Sequence, residues 1–145
     1  MKYISHRGNL DGRNLKTENS PNQIDTVLSL GYDVEIDLRF LNNKFYLGHD
    51  DCQYIIDFNW LLNRKNKLWI HLKNVECLYM MNNELNYFWH ENDKFTITSR
   101  GYIWSYPDFI NKSITVVKEK TFIIPYNILG ICTDYVFFYK NKEQI

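Results

Sequence analysis

Two carboxylates stand two residues apart in the apolar run YDVEIDLRFLNNKFYLGHD, residues 32–50, which ends on His49-Asp50. Strand side chains alternate between faces, so Glu35 and Asp37 share a face, roughly 6–7 Å apart at Cα. Val34, Ile36 and Leu38 take the opposite face and point into whatever covers the sheet. Like charges so placed are costly when buried, unless a cation sits between them.

Such a site needs elements to position it. Tyr3-Ile4-Ser5 reads as a short strand running into His6-Arg7-Gly8. Ser20-Pro21 starts a helix, with Ser as N-cap and Pro at the first helical position, and Gly31 is its stop. Asn42-Asn43 is hairpin chemistry between the strand 32–40 and Phe45-Tyr46-Leu47. Residues 54–63 and 75–85 read as helices, Leu68 to Lys73 as a strand, and Ile128 to Phe138 as the last regular element. Strand–helix alternation in the first half predicts parallel βαβ units, which gather functional groups at strand carboxyl ends. His6, Glu35, Asp37, His71 and Lys73 all stand at or near such ends.

The 145 residues suit a single domain, 1–145, with a sizeable core. Seventeen basic and seventeen acidic residues cancel, which argues against a nucleic-acid partner. The three cysteines, Cys52, Cys77 and Cys132, lack zinc-site spacing and read as reduced thiols of a cytoplasmic protein. The start MKYISHRGN carries no apolar run that would suggest a leader. No stretch approaches the ~18–20 apolar residues of a membrane span, so no membrane anchor is expected.

ISHRGN, then ENSP (Glu18 to Pro21), GYDVEIDLRF and LGHD follow one another across residues 4–50. In that order they resemble the glycerophosphodiester phosphodiesterase family, of the phosphatidylinositol-phospholipase-C-like TIM barrels. HLKN at 71–74 is similar to the family's Glu-x-Lys strand, with His71 in place of a third metal-binding carboxylate. GICTDYV at 130–136 resembles the motif that closes the barrel, and IWSYPD at 103–108 a Trp-Thr stretch on a late strand. A TIM barrel typically takes ~250 residues, with ~200 a practical minimum. The resemblance therefore implies an abridged (β/α) TIM-type barrel with several outer helices reduced. Such a barrel could cover exposed strands by forming a homodimer.

The resemblance further implies a metal-dependent phosphodiester hydrolase acting on a small glycerophosphodiester-like molecule. A divalent cation, Mg²⁺ or Ca²⁺ first and Mn²⁺ as the alternative, would sit on Glu35 and Asp37. Arg7 and Lys73 would hold the phosphate. His6 and His49 would be the acid–base pair, acting through a cyclic phosphate made by the substrate's own hydroxyl. Asp50 would orient His49, and Glu18 would order the loop beside His6. His71 would either ligate the metal, shifting preference toward Mn²⁺ or Zn²⁺, or hydrogen-bond the substrate. Glu91 and Glu119, each after a strand-like run, are further candidates for an oxygen ligand, while Trp104 reads as core. Two alternatives remain: a phospholipase-C-like lyase that stops at the cyclic ester, and a non-catalytic phosphate- or sugar-phosphate-binding module.

Overall fold

The computed structural model describes residues 1–120 and 123–142. Its elements run β1 (Lys2–His6), α1 (Pro21–Ser29), β2 (Asp33–Leu41), β3 (Lys44–Leu47), β4 (Tyr54–Ile56), α2 (Phe58–Leu62) and β5 (Leu68–Leu72). They continue as α3 (Val75–Met80), β6 (Tyr87–Phe88), β7 (Phe95–Ile97), β8 (Ile103–Ser105), β9 (Ser113–Val117), β10 (Gly130–Thr133) and α4 (Val136–Lys142). All the strands join one mixed sheet. Its centre is parallel, with β2, β1, β10, β9 and β8 side by side and β5, then β6, on the far side of β2. Past Leu38, β2 leaves β5 and pairs antiparallel with β3, which pairs in turn with β4. At the other end β7 lies antiparallel to β8.

This sheet curls into a half-barrel and corrects the expected abridged TIM barrel: the architecture is mostly strand, about 19% helical, without a helix after each strand. The reason lies in the connections. Residues 106–112 join β8 to β9, and 118–129 join β9 to β10, with no described residue helical in either. A parallel crossover that carries a helix takes a dozen residues or more, most of them in the helix. Residues 54–56 form a strand rather than part of a helix, because they add to the β3 edge with Tyr54 opposite Leu47. The helix expected over 75–85 stops at Met80, and the final stretch divides into β10 and α4.

Local signals hold where they are strongest. The Ser20 side chain accepts from the Gln23 amide, Pro21 opens α1, and Gly31 follows the C-cap with φ 93°. Asn42 and Asn43 both adopt positive φ, 51° and 60°, as a tight hairpin requires.

The strand period of two explains the layering. On the outer face Val34, Ile36 and Leu38 pack with Ile24 and Val27 of α1 and with Leu61 and Cys77. On the concave face Ile4, Trp69, Phe88, Trp104, Ile114 and Cys132 make an aromatic-rich floor. Phe88 stacks on Trp104 at 4.5 Å, and the Ser99 amide donates to the Tyr87 carbonyl at 2.7 Å, drawing the β6 side toward β7 and β8. Large rings fill the concavity from its own walls. A third cluster joins Tyr3, Val117, Ile128 and Ile131 to Tyr139 of α4.

Candidate functional site

Two residues beyond four of the floor residues, toward the strand carboxyl end, the chain places a titratable group on the same face. Thus Ile4 is followed by His6, Trp69 by His71, Phe88 by His90, and Cys132 by Asp134. Glu35 and Asp37 join them from β2, which is a central strand and not an exposed edge. Glu35 is 2% exposed and Asp37 0%.

His6, Arg7, Glu35, His49, His71 and Lys73 line one cavity of about 420 Å³, together with His90, Glu91, Trp104, Tyr106, Val116 and Lys118. Asp37 lies beside it, with Oδ1 3.9 Å from Lys73 Nζ and Oδ2 2.9 Å from Arg7 Nε. The Arg7 contact is an ion pair whose angle is not that of a hydrogen bond. A larger cavity, about 670 Å³, opens at the amino ends of β1 and β10, between Tyr3, Ile128, Leu129 and Tyr139. Its lining is mainly apolar, and the titratable cluster is at the other end of the strands.

Arg7 is held in the left-handed region, φ 56°, with its amide on the Glu35 carbonyl and its own carbonyl taking the Asn19 amide. A non-glycine residue there is uncommon, and both backbone bonds are needed to hold it. The Asn19 side chain clamps Asp37 from two sides, donating to Oδ2 at 2.9 Å and accepting the Asp37 amide at 2.9 Å. Glu18 sits behind Arg7, 3.5 Å from its Nη1, and also takes Arg13 Nε and Asn9 Nδ2 at 3.0 Å each. Its place is that of an anchor for the loop and for Arg7.

The two histidines are held differently. His6 Nδ1 bonds Asp134 at 2.8 Å, and Asn9 Nδ2 also donates to that carboxylate oxygen, at 2.7 Å. His49 lies on an exposed bend after β3, its Nδ1 2.7 Å from Asp50 Oδ1, with Arg39 donating to the Gly48 and His49 carbonyls behind it. Gly48 makes that bend possible: a Cβ there would meet the Asp51 carbonyl oxygen at 2.0 Å. Gly48→Ala is therefore expected to cost about 1–3 kcal/mol in a denaturant titration and to displace the His49 ring from the cavity. An unchanged midpoint would contradict this placement of the bend.

Electrostatics separate the carboxylates. Burial, then the Asp37 charge, push Glu35 up to about 7, against the pull of His6, Arg7 and Lys73. Burial also works against ionised Asp37, but Arg7 and the Asn19 bond outweigh it and hold its pKa below the usual range. His6 is pushed down by burial yet ends above its ordinary value, because the Asp134 bond and the Glu35 charge prevail. Burial and the Lys73 ammonium drive His71 down to about 3, so its imidazole is neutral. Asp134 is held low despite its burial by the bond and charge of His6.

Glu35, Asp37 and His71 each offer a ligand atom, and these atoms lie within 4.8 Å of one another. Glu35 Oε2 and Asp37 Oδ1 are buried with no hydrogen-bond donor, which a bound dication would remedy. The residues present fit such an ion. Glu91 is exposed at the cavity mouth and outside this cluster, and Glu119 is exposed and outside the cavity lining. Trp104, read as core, is 3% exposed and contributes to the cavity wall as well.

Asn9, Asn19 and Asp134 are the functional positions that residue spacing left out. Each lies inside one of the motifs ISHRGN, ENSP and GICTDYV, and the available signal is its place just past a strand, for Asn9 and Asp134, or just before a helix, for Asn19. Among the described residues no helix is long and apolar enough to cross a membrane. Comparison of the chain with protein-family models, curated proteins and solved structures finds no match, so its likeness to glycerophosphodiester phosphodiesterases remains one of short motifs.

Proposed function

We propose that this chain is a metal-dependent phosphodiesterase acting on a small phosphodiester with a hydroxyl beside the phosphate. The observation that carries the reading is the meeting, in one cavity, of two imidazoles, each bonded to a carboxylate, with Arg7 and Lys73 beside a buried carboxylate pair.

A dication on Glu35, Asp37 and His71 would supply Lewis-acid charge to a phosphate oxygen. Arg7 presents its planar guanidinium to the phosphate while Asp37 and Glu18 fix its orientation. Lys73 adds positive charge on the same side. His6 Nδ1–H donates to Asp134, which leaves Nε2 bare to take the proton of the substrate's hydroxyl. That oxygen attacks phosphorus, and a proton from His49 leaves with the departing alcohol. Hydrolysis of the cyclic ester reverses the two roles. His49 stands on the solvent side of the site, where water can enter for that second step.

The test is hydrolysis of glycerophosphodiesters after EDTA treatment and with Mg²⁺, Ca²⁺ or Mn²⁺ restored. Turnover that depends on the ion, and is absent with a deoxy analogue lacking the neighbouring hydroxyl, is expected. Equal cleavage of the deoxy analogue would overturn the mechanism, and no cleavage with any ion would overturn the activity.

A further inference from the structure

We propose that His71 is a nitrogen ligand that makes this site selective for a first-row transition dication, Mn²⁺ in the first place, over Mg²⁺ and Ca²⁺. The inference rests on the reading of Glu35 and Asp37 as cation ligands, and three features of the structure carry it.

The first is the tautomer. His71 Nε2 lies 3.4 Å from the His90 carbonyl oxygen. A carbonyl only accepts, so Nε2 carries the proton and the Nδ1 lone pair is left facing the carboxylates. An imidazole whose outer N–H is tied to a backbone carbonyl is the arrangement that orients metal-binding histidines.

The second is spacing. Nδ1 is 3.8 Å from Glu35 Oε1 and 3.6 Å from Asp37 Oδ1. A side-chain contact of about 3.6 Å or more is not a hydrogen bond, so neither of these is one. Ligand atoms around one ion with bonds of about 2.0–2.2 Å sit at such wider separations. Asp37 Oδ1 has no hydrogen-bond donor, and the Lys73 ammonium beside it is 3.9 Å away. Acceptors thus converge on a point from which donors are missing.

The third is rigidity. The His71 ring is in stacking contact with Phe88 at 4.9 Å and with the His90 ring at 5.1 Å, both at 16° between planes. Its backbone pairs with Asp37 on one side and Phe88 on the other. The nitrogen is therefore presented in a fixed direction.

Mg²⁺ and Ca²⁺ favour all-oxygen shells, whereas imidazole favours first-row transition ions. Two carboxylates to one imidazole, with the remaining positions open to water or phosphate oxygens, suit Mn²⁺ better than the nitrogen- and sulfur-rich tetrahedral sites of Zn²⁺.

The experiment uses the full chain stripped with EDTA. Calorimetric titration with Mn²⁺, Mg²⁺ and Ca²⁺ is run on the wild type and on His71→Asp, with pulsed EPR of the Mn²⁺ complex to detect coupling to ligand ¹⁴N. The expected result is ¹⁴N coupling in the wild type, lost in His71→Asp, and a Mn²⁺-over-Mg²⁺ preference that falls about tenfold in the variant. Mn²⁺ binding without ¹⁴N coupling in the wild type would overturn the proposal while leaving Glu35 and Asp37 as ligands. That measurement needs no variant, so a misfolded His71→Asp does not blunt it. No binding of any ion would overturn both this inference and the cation site beneath it, and turnover in EDTA would show whether an activity survives them.

Discussion

Glu35→Gln raises the melting temperature of the metal-free protein at pH 8, and Asp37→Asn lowers it. The two residues are neighbours on one strand face, yet their surroundings give them opposite signs. Glu35 is buried with Oε2 unpaired, and burial with the Asp37 charge raises its pKa to about 7. A folded-state pKa above the unfolded value means that the folded chain holds the proton more tightly. Stability from this group is full below its unfolded value and is lost as pH rises through about 7. The loss is about 3 kcal/mol on the one-unit scale of pKa free energy, and a neutral glutamine side chain would not incur it. The expected gain is about 5–10 °C at pH 8, shrinking toward pH 5.

Asp37 has the reverse balance. Its carboxylate pairs with Arg7 and takes the Asn19 donor, so the Asp37→Asn change leaves a buried guanidinium short of its partner. About 3 kcal/mol of destabilisation is expected. With Mn²⁺ added, the wild type should gain stability, about 2.7 kcal/mol at an ion concentration of 100 Kd, and Glu35→Gln should gain little. Thermal melts at two pH values, with and without ion, measure all of this. A lower melting point for Glu35→Gln in EDTA at pH 8 would contradict the burial account.

Loss of either imidazole should reduce kcat on a glycerophosphodiester with an alkyl leaving group by about 10²–10⁴-fold. The leaving group separates their roles. A p-nitrophenyl ester departs without needing a proton, so His49→Ala should recover most of the first-step release of p-nitrophenol there, and His6→Ala should not. His6 is the residue that removes the attacking proton whatever leaves. Recovery by His6→Ala with continued failure of His49→Ala would exchange the two assignments. Equal losses on both substrates would remove the distinction between them.

The parts of this molecule legible from sequence are those set by neighbours in the chain. Alternation alone puts Glu35 and Asp37 on one face and Val34, Ile36 and Leu38 on the other, and the structure has them so, with all three apolar side chains 0% exposed. The α1 caps and the Asn42-Asn43 turn are equally local. What could not be read depends on contacts between distant residues. Tyr54-Ile55-Ile56 has the look of a helix start until β3 offers it an edge. Asp134 becomes the partner of His6 only because β10 lies beside β1, with Thr133 opposite Ser5. The motifs carried a barrel expectation that connections as short as residues 106–112 do not fulfil, because resemblance at strand ends says nothing about what covers the sheet outside. Site and scaffold were therefore unequally visible: the chemistry clusters at strand termini near motif residues, while the missing helices leave no motif.

The most direct test of the central claim is a ³¹P NMR time course of a glycerophosphodiester with the Mn²⁺-loaded protein. A cyclic phosphate resonance is expected to rise and then give way to the monophosphate, with neither change in EDTA. A substrate resonance that stays unchanged with every ion tried, or a monophosphate that forms with no cyclic ester before it, would contradict it.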